Sequence, residues 1–331
     1  MQVIDHLDEL RTVIRSAVDR FDKIGLLTHK NPDGDGLSTC LALQNILEAA
    51  GKEVSIILED EGLDSLDFLR VKERTIIYRQ ELSFPLILIV DCQSRQRLGK
   101  CGSLLDKAEL IIAVDHHQDN GADDVHYLYN DTRTVSAGAI IYQALKDEFN
   151  ALPPLMREES ATALYVTVIN DTNNFTNSNT NEDVFLFCAE LSRLGIKPFE
   201  ITRTFLLEKP ASYFRFIGQA LATITTHLDG QVLFFHSTIE MLEENHLHSD
   251  ATSKVTNWVK KPTGVKIVVY FREIGTEKYR LSLRSDVIDV NQIARKYGGG
   301  GHRNASGCEV TGSLADVKTI ILQDIKKDLP Y

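Results

Sequence analysis

The stretch Thr28-His29-Lys30-Asn31-Pro32-Asp33-Gly34-Asp35-Gly36 sets the reading of the chain. It follows Ile24 to Leu27, an apolar run that predicts a buried β-strand. It precedes Leu37 to Ala50, where Leu41, Leu43, Ile46 and Leu47 recur at roughly helical spacing and Gly51 supplies a stop. One imidazole and two carboxylates therefore crowd a strand-to-helix turn, and glycines provide the backbone freedom a tight turn needs. Two readings stand at this point. Loops rich in Asn, Asp, Gly and Pro commonly serve as polar turns, here with Asp35 as a cap. The same residues would also suit one corner of a metal site.

Outward from this turn, strands are expected at 24–28, 53–58, 75–78, 86–90 and 110–114. Helical patterns at 37–50 and at 64–70 or 103–108 fall between them, after an opening helix at 3–21. Strands alternating with helices predict an α/β domain whose mainly parallel, five-stranded sheet is flanked by helices. From Ser136 the pattern is helical, over 136–149, 157–170 and 183–194. Gly195-Ile196-Lys197-Pro198 breaks it, so a first domain over 1–195 and a helical linker over 196–219 are expected before a second domain, 220–331. That second domain reads as a smaller α+β unit. A hairpin turns at Asp229-Gly230, with strands at 221–226 and 232–235. A helix at 250–261, strands at 264–272 and 278–285, a helix at 289–297, the run Gly298 to Gly301 and a last helix at 313–328 follow.

Composition narrows the function. The 331 residues are 43% hydrophobic and 25% charged, which is ordinary for a soluble globular protein. The longest apolar run, Pro85 to Val90, is too short to span a bilayer, and no signal-peptide pattern opens the chain, so a cytoplasmic protein without membrane partners is expected. A net charge of −11 argues against long nucleic acid as a partner while leaving room for a small phosphorylated substrate. The five cysteines are scattered without a CxxC pair, which disfavours a disulfide framework or a thiolate zinc site.

Acids and imidazoles recur at corresponding places. Asp91 follows the strand 86–90, Asp115-His116-His117 follows 110–114, and Asp171 ends the helix carrying Leu164, Tyr165, Val168 and Ile169. In an open parallel sheet, ligands bind beyond the carboxyl ends of the strands. A lone strand-end Asp is commonly a cap or turn; three successive strands ending this way favour a site. Carboxylates and imidazoles without thiolate suit Mn²⁺, with Mg²⁺ or Fe²⁺ as alternatives. Two such divalent ions sharing a carboxylate would serve phosphoester hydrolysis. No Gly-x-Ser-x-Gly elbow occurs, and Cys92 reads as a buried filler.

His29-Lys-Asn-Pro-Asp33-Gly-Asp35, Asp91, Asp115-His116-His117 and Asp171 resemble the four motifs of the DHH phosphoesterases. The run Gly298-Gly299-Gly300-Gly301-His302-Arg303-Asn304-Ala305-Ser306-Gly307 resembles the glycine-rich signature of the associated DHHA1 domain. The resemblance spans nearly the whole chain, at a length similar to the stand-alone nanoRNases, pAp phosphatases and pGpG-hydrolysing members. It implies that His29, Asp33 and Asp91 hold one metal, and that Asp35, Asp91, His116 and Asp171 hold the other. It further implies that His117 assists at the scissile phosphate and that Asp115 orients an imidazole. One departure stands in the first motif: Gly36-Leu37-Ser38 follows Asp35 where the family usually has Ala-x-Gly-Ser.

The glycine run could be a flexible loop or a nest of backbone N–H groups for an anion. The resemblance favours binding, through Gly299, Gly300, Gly301, His302 and Ser306, with Arg284 as a phosphate-binding residue. The expected substrates are short RNA and 5′-phosphorylated linear dinucleotides such as pGpG or pApA, hydrolysed to mononucleotides. Alternatives are a pAp 3′-phosphatase, a cyclic dinucleotide phosphodiesterase, or a nucleotide sensor without turnover. A homodimer through the first domain is also implied by the resemblance.

Overall fold

The computed structural model describes residues 1–60, 64–117, 124–252, 255–259 and 262–329, without the side chains of residues 64, 250 and 302. The chain divides into two compact units, Met1–Glu208 and Lys209–Tyr331. That division falls inside the stretch 196–219 expected to link two domains.

The first unit runs β1 (Gln2–Ile4), α1 (Leu7–Arg20), β2 (Lys23–Leu27), α2 (Gly34–Ala49), β3 (Glu53–Leu58), α3 (Val71–Arg74), β4 (Thr75–Ile77), β5 (Leu86–Val90), β6 (Leu110–Asp115) and β7 (Tyr127–Asn130). It continues with α4 (Ala137–Ala144), α5 (Lys146–Ala151), α6 (Pro154–Asp171), α7 (Glu182–Ser192) and α8 (Pro198–Thr202), then a π-helical turn at Arg203–Leu207. The sheet has seven strands in the order β1-β7-β6-β5-β2-β3-β4. Every pair in it is parallel.

The expectation of five strands is therefore corrected to seven. Residues 2–4 are an edge strand rather than the start of a helix: Val3 pairs with Leu128, and Gln2 N–H donates to the His126 carbonyl at 2.7 Å. A three-residue strand carries no periodic signal of its own, and its partner lies far along the chain. Central β5 is buried at every residue, which explains why Leu86 to Val90 is continuously apolar rather than alternating. Helix α2 is likewise buried from Gly34 to Leu47, with α6 as a neighbour.

This topology positions the site. After β2 the chain adds β3 and β4 on one side, then returns to lay β5 on the other side of β2. The order reverses between β5 and β2, which is where open parallel sheets open a crevice. With β6 next to β5, the segments leaving β2, β5 and β6 emerge side by side, as the pairs Leu27↔Ile89 and Val90↔Val114 require.

The second unit comprises α9 (Ala211–Ala222), β8 (Thr225–His227), β9 (Val232–Ser237), α10 (Ile239–Glu244), β10 (Ile267–Gly275), β11 (Lys278–Ser285), α11 (Val290–Lys296), β12 (Gly300–His302), β13 (Ala305–Thr311) and α12 (Leu314–Asp328). Its sheet, β12-β13-β11-β10-β9-β8, is mixed, with β9 and β10 parallel and the other pairs antiparallel. Asp229-Gly230 does turn a hairpin, but α9 extends through Ala222, so the strand before the turn is short. The helix expected over 250–261 is replaced by 3₁₀ turns at Ser249–Thr252 and Val255–Val259; residues 253, 254, 260 and 261 lie outside the described residues. Among the described residues, no helix is long and apolar enough to cross a membrane.

The glycine run is only partly a loop. Gly298 N–H and Gly299 N–H donate to the carbonyls of Arg295 and Ala294 and so end α11, rather than forming a nest for an anion. Gly300 to His302 form edge strand β12, paired with Ala305 to Gly307. A side chain at Gly299 would overlap the Gly307 carbonyl and the backbone of Cys308. Close approach of two strands is a use for glycine here that needs no ligand.

Candidate metal centre

Thr28 through Asp35 leave β2 and enter α2. Asp33 is the N-cap of α2, its Oδ1 accepting from Asp35 N–H at 2.9 Å and Gly36 N–H at 3.3 Å. The cap reading of this turn holds, with Asp33 rather than Asp35 as the cap. His29 is fixed from behind, its Nδ1 donating to the Lys30 carbonyl at 2.9 Å. That leaves Nε2 facing Asp33 Oδ1 at 3.9 Å and Asp91 Oδ2 at 3.4 Å.

Asp91, directly after β5, has a left-handed φ of 58°, a conformation Asp tolerates better than most residues. Its N–H is held by the Val114 carbonyl at 3.0 Å. Its two carboxylate oxygens face different neighbours. Oδ2 faces His29, whereas Oδ1 lies 3.4 Å from His116 Nε2 and 3.3 Å from His117 Nδ1. His116 Nε2 also approaches Asp35 Oδ2 at 3.4 Å and Asp171 Oδ2 at 3.1 Å. Ligand atoms thereby gather into three overlapping sets: His29, Asp33 and Asp91; Asp35, His116 and Asp171; and Asp91, Asp115, His116 and His117.

Several supporting groups gave no signal of this role in the sequence. Asp35 is fully buried, and its oxygens accept from the N–H groups of Ala137 at 2.8 Å and Gly138 at 3.2 Å at the start of α4, and from Thr39 Oγ1 at 3.1 Å. Asn170 links two motifs: Oδ1 accepts from Gly34 N–H at 3.3 Å, and Nδ2 donates to Asp171 Oδ1 at 2.9 Å. The contacts of Asn170 with Gly34 and of α4 with Asp35 join segments far apart in the chain, so no local pattern marks them. Asp115 accepts from His117 Nδ1 at 2.8 Å and from the backbone N–H of His116 at 2.8 Å.

Charge tests whether cations fit. Burial disfavours charge on His29, yet Asp33 and Asp91 push its pKa up to about 10. Burial likewise opposes charge on His116, yet Asp171, Asp91 and Asp35 push it up to about 12. Asp35 is raised well above the carboxylate range by burial and then by the charges of Asp171 and Asp91. Asp171 is raised by burial, against the pull of His116. The cluster thus holds protons to offset crowded negative charge. Buried Asp91 Oδ1, Asp115 Oδ2 and His116 Nε2 also have no partner with hydrogen-bond geometry among the described residues. A donor set of carboxylates and imidazoles with excess negative charge and unpaired buried atoms fits divalent cations. The cysteines do not contribute a nucleophile: burial pushes the Cys92 thiol up to about 11 and raises Cys40 further.

The sequence pattern of the DHH family, N-terminal domain, matches residues 23–168, and that of the DHHA1 domain matches residues 231–328. The chain belongs to the DHH/DHHA1 phosphoesterase family. Similar members include the bifunctional oligoribonuclease and PAP phosphatase NrnA of Mycoplasma genitalium, 28% identical over 319 residues, covering 94% of this chain and 96% of that one. The protein of the same description from Thermus thermophilus is 28% identical over 308 residues, covering 92% and 90%. In fold, the chain superposes on an exopolyphosphatase-related protein from Bacteroides fragilis with a TM-score of 0.88 at 22% identity, covering 96% of this chain and 95% of that one.

Within the DHHA1 domain of this family member, Arg284 lies on β11 opposite Val268 and Ala305. Burial lowers its pKa, no carboxylate among the described residues pairs with it, and its Nη1 donates to the Leu283 carbonyl at 2.9 Å. Ser306 pairs with Gly301 across the β12–β13 ladder. The His302 side chain lies outside the described residues.

Proposed function

We propose that this phosphoesterase is a two-metal phosphodiesterase that hydrolyses short 5′-phosphorylated linear oligoribonucleotides, dinucleotides such as pGpG and pApA above all, to mononucleotides. The observation that carries the reading is Asp91, whose two oxygens face two different ligand sets. In this reading His29, Asp33 and Asp91 hold one cation, and Asp35, Asp91, His116 and Asp171 hold the other. The donor chemistry favours Mn²⁺, with Mg²⁺ or Fe²⁺ as substitutes. Bound there, divalent cations supply positive charge for phosphoryl oxygens and acidify water.

The chain's own residues supply the rest. Asp115 accepts from His117 Nδ1, which orients the ring and assigns proton exchange to Nε2. His117 then donates the Nε2 proton to the departing sugar oxygen, so that water adds to phosphorus, the P–O bond breaks and the sugar leaves as an alcohol. The Asn170 bridge keeps Asp171 and the Gly34 turn in register. In the DHHA1 domain, Arg284 is the proposed phosphate-binding residue, since a half-buried guanidinium with no carboxylate partner among the described residues favours an anion. Gly300, Gly301, His302 and Ser306 border it in the proposal, whereas Gly299 serves the turn.

Removal of the 3′-phosphate from pAp is the second reading, favoured by the double description of the Mycoplasma and Thermus relatives. The test is incubation with Mn²⁺ and separate pGpG, pApA, pAp and cyclic dinucleotides, with chromatography of the products. Mononucleotides from the linear dinucleotides are expected; turnover of none of the panel would sink the enzymatic reading.

A further inference from the structure

We propose that Thr28 is a positioning residue for Asp91 in the cation-loaded centre; this rests on the metal reading above. Thr28 stands between β2 and His29, is only 5% exposed, and its Oγ1 has no hydrogen-bond partner among the described residues. A buried hydroxyl left unpaired is destabilising, and such a group in a functional cluster calls for an explanation.

Position 36 supplies one. A side chain at Gly36 would overlap Thr28 Oγ1, and its Cβ would stand 3.2 Å from Asp91 Oδ2. The hydroxyl and the carboxylate oxygen therefore both lie close to one point, which the missing Cβ leaves free. Asp91 Oδ2 is the oxygen that faces His29. A hydroxyl can donate to a carboxylate directly or through one water, and a carboxylate can only accept when ionised. A donor beside Asp91 fixes the rotation on which both ligand sets depend. Partners of this kind typically contribute about 10–100-fold to metal affinity. The same geometry gives Gly36 its role: an alanine there would force the Thr28 hydroxyl to swing away from Asp91.

The test measures Mn²⁺ affinity from the electron paramagnetic resonance of free Mn²⁺, alongside Tm without metal. Thr28→Val removes the hydroxyl at nearly constant shape. It is expected to leave the metal-free Tm unchanged or higher, because an unpaired polar atom is lost, and to weaken Mn²⁺ binding about tenfold or more. Thr28→Ser keeps the hydroxyl and should bind Mn²⁺ nearly as the wild type does. Gly36→Ala should resemble Thr28→Val in affinity. Wild-type affinity in Thr28→Val, whether or not its Tm falls, would overturn the role of Thr28 and leave the metal reading standing. A wild-type chain that binds no Mn²⁺ would overturn both.

Discussion

At Asp91 a left-handed backbone, a buried carboxylate and three facing imidazoles coincide. His117 differs from these ligands in role, so its substitution separates chemistry from metal binding. His117→Ala is expected to lower kcat about 10²–10⁴-fold while Mn²⁺ affinity stays near wild type; steady-state kinetics beside a binding isotherm checks this. The protons of the cluster set the pH dependence. The raised pKa of His29, about 10, and of His116, about 12, contributes stability in the metal-free protein. That contribution is complete below the unfolded value of about 6.5 and is lost as pH rises through the folded values. Raised Asp35 and Asp171 work in the same direction, since their ionisation on raising the pH is opposed by the fold. Cations must displace these protons, so the Tm increase caused by Mn²⁺ is expected to be larger at pH 8 than at pH 6, with protons released on binding. An increase that shrinks with pH would count against the assignment. The ligating residue types were legible in the sequence because they cluster at strand ends. Asn170 and Thr28 were not, because what they do depends on the distant Gly34 and Asp91.

Among the elements, long apolar runs were readable and short amphipathic ones were not. β5 and β6 announce themselves by burial along their length, whereas β1 has two of its three residues exposed. The 3₁₀ turns over 249–259 share composition with a helix but not its regular ladder. Helix α4 illustrates how an element serves the site. Its N-cap Ser136 accepts from Ala139 N–H at 3.1 Å, and its first two N–H groups hold Asp35. Ser136→Ala is expected to cost about 1 kcal/mol of stability and to weaken Mn²⁺ binding by loosening Asp35, as denaturant unfolding and a binding isotherm would report. In the second unit, Gly299→Ala should cost about 1–3 kcal/mol by forcing apart β12 and β13. Unchanged stability would mean that the strands approach less closely than described.

For the whole molecule, a net charge of −11 limits what the enzyme can hold. Affinity for long RNA draws on many Lys and Arg contacts that release counterions from its phosphates, and a strongly acidic chain disfavours them. Hydrolysis should therefore fall steadily from dinucleotides to oligonucleotides of about twenty residues, and gel-shift assays with long RNA at ~0.15 M salt should show no complex. The account depends most on two cations sharing Asp91. Its most direct measurement is the number of Mn²⁺ ions bound per chain at equilibrium, in the wild type and in Asp91→Ala. Two ions in the wild type, and loss of tight binding at both positions in Asp91→Ala, are predicted. A wild-type chain holding one ion or none, or an Asp91→Ala variant still holding two tightly, would contradict it.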